Sequence, residues 1–147
     1  MKLNRDFREL LESFAARDVR YLIVSGWAVA AHGHPRYTKD LDIWIWMDEA
    51  NGEATVAALQ DFGFGGLGLT STDFTTPDSV IQLGYPPNRV DLLTSPSGVV
   101  FEQCWQDRVD LDLDGIVVPF IGVDDLVLNK SAAGDLADIA SLRGRDA

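Results

Sequence analysis

Apolar residues recur along the chain with two different spacings, and each spacing predicts one kind of element. Near the amino end, Phe7, Leu10, Leu11 and Phe14 recur at helical spacing, which predicts an amphipathic helix over residues 4–17. Similar patterns predict helices over 26–33, 51–62, 99–107, 124–133 and 135–142. Shorter apolar or alternating runs predict strands over 20–25, 39–47, 80–83, 89–93, 108–113 and 115–120.

Turn signals join four of these strands into two predicted hairpins. The segment 84–88, which holds two prolines, connects the strands 80–83 and 89–93, and Asp114-Gly115 connects the last two strands. Residues 63–78 are rich in Gly, Thr and Ser with little periodicity, and predict a loop. The chain of 147 residues shows no repeat or linker, so we expect one domain over residues 1–147 with a single core.

Two aspartates stand one residue apart where an apolar strand begins, in Asp40-Leu41-Asp42-Ile43. Side chains at positions i and i+2 of a strand point the same way, so Asp40 and Asp42 share a face. Two carboxylates this close repel each other unless a cation lies between them, and carboxylate oxygens suit Mg²⁺. Asp91 is a third candidate, because it too lies in an apolar strand. The alternative is a solvated strand face, which is the commoner origin of an Asp-x-Asp pair.

A small-residue turn lies upstream of these aspartates. The apolar run 21–24 meets Ser25-Gly26, and an Ala-rich stretch then ends at Gly33, which predicts strand, tight turn and helix. The free N–H groups of a helix start favour an anion such as a triphosphate, and Gly26 lets a phosphate approach the backbone. A Ser-Gly turn alone is weak evidence for a phosphate site. Its spacing from Asp40 in the sequence makes the combined pattern more specific.

These motifs together resemble the nucleotidyltransferase superfamily of the DNA polymerase β type. The matching strings are Val24-Ser25-Gly26, then Asp40-Leu41-Asp42-Ile43, then Val90-Asp91-Leu92. The fuller string over residues 25–42 is similar to small bacterial nucleotidyltransferases, including the lincosamide and aminoglycoside enzymes and the AbiEii-like toxins. The resemblance covers residues 20 to 142 and implies an α/β (α+β) fold, with a mixed twisted sheet flanked by helices.

The resemblance also implies a role for each matching residue. Asp40, Asp42 and Asp91 would hold two Mg²⁺ ions, with Asp91 near the acceptor hydroxyl. Nucleotide contacts would come from Ser25, Gly26, Arg36, Thr38, Lys39 and Lys130. The expected reaction moves a nucleoside monophosphate from a nucleoside triphosphate (NTP) to an acceptor and releases pyrophosphate.

The chain departs from the relatives at two places. They usually carry two glycines where this chain has Ser25-Gly26, a change that the serine hydroxyl makes compatible with phosphate binding. They also often carry a short basic insert between the positions of Gly134 and Asp135, and it is missing here. The missing insert favours the alternative interpretation, which is a non-catalytic or toxin–antitoxin interaction module on the same fold.

Charge restricts the partners that we expect. The net charge is −11, with 12 Lys and Arg against 23 Asp and Glu, whereas nucleic-acid binding requires clustered basic residues. A toxin that modifies tRNA is therefore the less favoured enzyme, and a small-molecule or protein acceptor is expected. A homodimer or a partner chain could supply the acceptor surface.

The remaining features are less specific. The amino terminus lacks an apolar signal core and no apolar run could span a bilayer, so we expect a cytoplasmic protein without membrane contact. Cys104, the only cysteine, is expected to be a buried and inert thiol.

His32 and His34 make a poor zinc site on their own and are interpreted as structural or acceptor-side. Trp44 and Trp46 favour either core packing or an aromatic wall for the substrate.

Overall fold

The computed structural model describes residues 3–33, 40–85 and 88–134. Its sheet has six strands in the order β3-β4-β2-β1-β6-β5. The strands are β1 (Tyr21–Val24), β2 (Leu41–Ile45), β3 (Val80–Leu83), β4 (Val90–Leu93), β5 (Val109–Leu113) and β6 (Ile116–Phe120). The α-helices are α1 (Arg5–Ala16), α2 (Ser25–Ala31), α3 (Glu49–Phe62), α4 (Phe101–Gln106) and α5 (Val123–Ala133). The predicted α/β (α+β) fold with a mixed sheet is confirmed.

The pairing of the strands brings four chain segments to one edge of the sheet. β1 runs antiparallel to β2, and Val24 lies opposite Asp42. β2 runs parallel to β4, and Asp42 lies opposite Asp91. β6 runs parallel to β1, so its last residue, Phe120, ends at the same edge. The starts of β2 and β4 therefore lie beside the ends of β1 and β6.

Helices cover both faces of the sheet. Tyr21 of β1 meets Phe14 of α1 with ring centroids 5.3 Å apart, whereas Trp44 of β2 meets Phe101 of α4 at 5.1 Å. Because Tyr21 pairs with Ile45 in the sheet, it shares the face of the odd-numbered β2 residues, opposite to Trp44. Asp42 and Trp44 therefore lie on the α4 face. The other face is closed by α1, which packs on α3.

Local sequence explains where the elements begin and end. Asn4 accepts a hydrogen bond from the N–H of Phe7 and starts α1, and Asp48 accepts one from Asn51 and starts α3. The hairpin of β5 and β6 turns at Asp114-Gly115, where both residues have positive φ (55° and 89°) as a two-residue turn of the primed type requires.

Two predictions about elements need correction or lie outside the described residues. The segment 63–78 contains two short 3₁₀ helices, Gly65–Leu67 and Ser71–Phe74, where the sequence predicted only loop. Phe74 anchors the second of them in the core, with 1% of its surface exposed. The predicted helix over 135–142 lies outside the described residues. No helix in the described ranges has the length and apolar character needed to cross a membrane.

Candidate active site

Three carboxylates lie together at the edge of the sheet formed by the starts of β2 and β4. Asp42 and Asp91 are register partners on neighbouring parallel strands, and Asp40 directly precedes β2. The charges of Asp91 and Asp40 both act on Asp42. We call these three residues the β2–β4 carboxylates. The register puts Asp42 and Asp91 side by side, whereas Asp40, predicted to share the strand face of Asp42, lies just before β2.

The carboxyl of Asp42 is perturbed by its surroundings. Burial raises the pKa of its carboxyl above the ordinary value, and the charges of Asp91 and Asp40 raise it further. A hydrogen bond from the Ser25 hydroxyl and the positive charge of Lys130 oppose that rise. One oxygen, Oδ1, is buried without a hydrogen-bond partner.

Ser25 occupies a backbone conformation that favours glycine. Its φ is +60°, in the left-handed region that non-glycine residues rarely adopt, and it is the first residue of α2. The glycine that relatives carry at this position would be unstrained there. The serine side chain offers a hydroxyl that bonds Asp42, which gives a physical reason for a strained residue at this point.

Lys130 approaches the same group from α5. Its side chain is buried, with 9% of the residue surface exposed, and its charge is felt at Asp42. α5 contacts α2, the helix that Ser25 begins. Residues from β1–α2, β2, β4 and α5 are therefore brought to one place; they include Ser25, the three aspartates and Lys130, which the resemblance alone had implied.

Arg89 is a member of this site that the sequence analysis did not identify. Its Nε lies 3.1 Å from Oδ1 of Asp91 and its Nη2 lies 3.0 Å from Oδ2, so the guanidinium holds both oxygens. The same Nε is 3.8 Å from Oδ2 of Asp40. A signal was present in the sequence, because Arg89 and Asp91 stand at i and i+2, the spacing that linked Asp40 to Asp42.

The donor set fits a divalent cation, although its members are not gathered around one point. Among the described residues, no three His, Cys, Asp or Glu side chains are arranged to hold a metal ion as they stand. Asp42 nevertheless presents a buried oxygen without a partner, which is the kind of atom that a bound cation satisfies. Carboxylate oxygens are also the ligands that Mg²⁺ prefers.

Other candidate residues have structural explanations or lie outside the described residues. His32 Nε2 donates to the carbonyl of Ile121 at 2.8 Å, which favours its structural interpretation. Trp44 is buried and donates to the carbonyl of Thr94 at 3.1 Å, so it packs in the core. Cys104 is buried, and burial raises its pKa to about 12, as expected for an inert thiol. The predicted contacts Arg36, Thr38 and Lys39, together with His34, lie outside the described residues.

A second group of carboxylates lies at the same sheet edge, beyond α2. Asp107, which precedes β5, and Asp124 and Asp125, which begin α5, line a cavity of about 600 Å³ together with His32 and Gly122. We call these three aspartates the α5 carboxylates. Asp125 is buried and one of its oxygens has no partner, and burial raises its pKa, followed by the charge of Asp107. The sequence analysis did not identify this group.

Comparison with known proteins agrees with the fold. No protein-family model matches the chain, and no curated protein does. A nucleotidyltransferase from Thermotoga maritima, described as putative, superposes with a TM-score of 0.64 at 14% identity, over 95% of this chain and 89% of that one. A lincosamide antibiotic adenylyltransferase with bound lincomycin superposes with a TM-score of 0.57 at 17% identity, over 97% of both chains. A nucleotidyltransferase-like protein from Paracoccidioides brasiliensis gives 0.56 at 17% identity, over 93% of this chain and 74% of that one.

These neighbours define the class of architecture. At such identities they show the fold alone, and the fold of this chain is that of the nucleotidyltransferases. The resemblance inferred from the motifs is thereby confirmed at the level of the fold.

Proposed function

We propose that this chain is a Mg²⁺-dependent nucleotidyltransferase that moves a nucleoside monophosphate from an NTP to an acceptor hydroxyl, with release of pyrophosphate. One observation carries the proposal above the others: Asp42 keeps a buried, unpartnered oxygen beside two further carboxylates. A carboxylate oxygen that is buried without a partner costs stability unless a ligand compensates it. Because the structural neighbours share the nucleotidyltransferase fold, we propose that this ligand is a divalent cation bound together with an NTP.

We assign each residue of the site a role from its position. Asp40 and Asp42 would hold the cations that bridge the triphosphate, and Asp91 would complete the set on the acceptor side. Two divalent cations would neutralise the triphosphate and activate the acceptor oxygen. Positioning and neutralisation of charge would supply most of the rate, as in other phosphoryl transfers.

The remaining nucleotide contacts follow from their place beside Asp42. Ser25 and Gly26 would contact the phosphates, since Ser25 already donates to Asp42. Lys130 would be directed at the nucleotide, because its charge acts at the same carboxyl. Arg36, Thr38 and Lys39 are proposed as phosphate or acceptor contacts from the resemblance alone.

The acceptor is proposed to be a small molecule or a protein. The net charge of −11 disfavours a polyanionic acceptor and suits a cationic one. One structural neighbour is described with bound lincomycin, a small molecule. A dimer or partner chain that completes the acceptor surface, and a cytoplasmic location, remain predictions.

Transfer of a labelled nucleotide tests the proposal. The purified chain is incubated with Mg²⁺, NTPs labelled at the α-phosphate and separate panels of small molecules, tRNA and co-purifying proteins. We expect label on a small molecule or protein, loss of that label with Asp42→Asn, and its retention with Asp110→Asn, an exposed aspartate of β5. Absence of transfer, together with no effect of Mg²⁺ and NTP on the melting temperature, would favour the non-catalytic interaction module.

A further inference from the structure

Arg89 stands in the site as a cation that the chain itself supplies. Its guanidinium donates hydrogen bonds to both oxygens of Asp91 at 3.0 and 3.1 Å, and its Nε also lies 3.8 Å from Oδ2 of Asp40. Two of the three β2–β4 carboxylates therefore face a positive charge that is fixed to the protein. A guanidinium is not deprotonated in proteins, so this charge is present at every working pH.

The backbone of Arg89 is held in place while its side chain has room to move. The Arg89 carbonyl accepts a hydrogen bond from the N–H of Leu41 at 3.1 Å, which ties the residue to the start of β2. About a third of the Arg89 side chain is exposed (32%), against 14% for Asp91. Because solvent reaches the arginine more than its partner, the guanidinium can leave the carboxylate by changing rotamer, without any movement of the strand.

The arrangement of the carboxylates agrees with this role for Arg89. Asp42 keeps an unpartnered oxygen, whereas both oxygens of Asp91 accept hydrogen bonds from Arg89. Among the described residues the acids do not converge on one point as a ready-made metal site.

We propose that Arg89 is a resident counter-cation that competes with the divalent cation for Asp91 and Asp40. This inference rests on the proposed function. In the metal-free protein Arg89 offsets the mutual repulsion of the three carboxylates and holds the fold together locally. When a divalent cation enters, the guanidinium gives up at least one oxygen of Asp91. Arg89 thus raises the stability of the metal-free protein and lowers its affinity for metal.

The experiment compares two arginines that each bind an aspartate through Nε and Nη2. Arg17 holds Asp61 with Nε at 2.8 Å and Nη2 at 3.1 Å, on the surface that α1 and α3 share, so it is a matched control. Binding of Mg²⁺ is measured by calorimetry, and binding of Mn²⁺ by electron paramagnetic resonance, for the wild type, Arg89→Gln and Arg17→Gln, all without nucleotide. Melting temperatures are recorded for each protein with and without metal.

We expect Arg89→Gln to bind the metal about tenfold more tightly than the wild type, because a unit positive charge within a few ångströms of the dication is removed. The same variant should melt at a lower temperature than the wild type without metal and gain more from its addition. Arg17→Gln should match the wild type in metal affinity. If Arg89→Gln does not fold without metal, Arg89→Lys replaces it, and its single ammonium should give a smaller increase of about threefold.

Two contrary results have separate meanings. If the wild type binds metal and Arg89→Gln binds it equally or more weakly, Arg89 does not compete, and the proposed function stands while this inference falls. If the wild type, Arg89→Gln and Arg89→Lys all fail to bind metal, the metal dependence of the proposed function falls as well.

Discussion

The sheet edge carries two groups of three aspartates, and only one of them resembles a reaction centre. The β2–β4 carboxylates and the α5 carboxylates each contain an aspartate with a buried, unpartnered oxygen, Asp42 and Asp125. Burial is the largest cause of the raised pKa in both. A buried, perturbed carboxyl is therefore not sufficient to distinguish a functional site from a structural one.

The surroundings of the two groups differ. Asp124 and Asp125 lie in the first turn of α5, where the free N–H groups and the helix dipole stabilise negative charge. Asp42 lies in a strand, which has little net dipole, and is approached instead by the Ser25 hydroxyl and the charge of Lys130. Asp124 and Asp125 thus have an explanation within the fold, whereas the β2–β4 carboxylates are offset only in part by Arg89, Ser25 and Lys130.

The largest expected effect separates the two groups by activity. Asp42→Asn should lower nucleotide transfer by about a thousandfold, because the charge that would hold the cations is lost. Asp125→Asn should leave transfer within about threefold of the wild type. Rates with an α-phosphate-labelled NTP measure both variants. Equal losses in the two would remove the distinction drawn between the groups.

Metal binding should separate the groups in the same direction. At a Mg²⁺ concentration of about 100 times Kd, binding adds about 2.7 kcal/mol to the stability of the folded state. For a chain of this length that raises the melting temperature by about 5 °C. Asp42→Asn should lose this increase and Asp125→Asn should keep it. An increase retained by Asp42→Asn would locate the metal elsewhere.

Without metal, the two groups should behave alike as the pH changes. A carboxyl whose pKa is raised by folding destabilises the folded state once the pH exceeds its unfolded pKa, and the effect is complete above the folded pKa. Asp42→Asn should therefore equal the wild type in the acid range and exceed its melting temperature by about 2 °C at neutral pH. Asp125→Asn should show the same trend.

Melting curves between pH 4 and pH 8 in the presence of a chelator measure this difference. If Asp42→Asn is less stable than the wild type across that range, Asp42 serves the fold as a hydrogen-bonding residue. When Mg²⁺ is added, the order of the melting temperatures should reverse, so that the wild type melts above Asp42→Asn. This reversal is the sharper test.

The smallest expected effect concerns polyanions. Neither acidic group attracts a phosphate backbone, and the 12 basic residues are outnumbered by 23 acids. We expect no measurable binding of tRNA at physiological salt by the purified chain. Filter binding or fluorescence anisotropy over a salt series checks this. Tight binding with a steep salt slope would make the tRNA-modifying toxin the leading interpretation.

The sequence predicted most elements because apolar periodicity is a local property. The two hairpins, the helix that follows Ser25-Gly26 and the strand with Asp40 and Asp42 were all recognisable from spacing and turn residues. The register that places Asp91 opposite Asp42 was not, because it depends on the pairing of strands that are distant in the sequence.

The same limit explains what was missed at the site. Arg89 carried the i, i+2 signal, but its interaction with Asp91 needed side-chain positions to be recognised. Asp125 gave no local signal in the sequence, because its burial is a property of the tertiary structure. Phe74 was assigned to a loop since its neighbours are Gly, Ser and Thr, and its anchoring role is tertiary.

The parallel register of β2 and β4 bears on how such a domain can diversify. Asp42 and Asp91 are fixed to one another by backbone pairing, and α3 and the two 3₁₀ helices belong to an excursion that leaves the sheet after β2 and returns at β3, which pairs with β4. Insertions, deletions or exchanged segments within that excursion leave the pair where it is. On the proposed function, the sheet would keep the metal-binding carboxylates in place, while changes in the surrounding segments would alter the choice of acceptor.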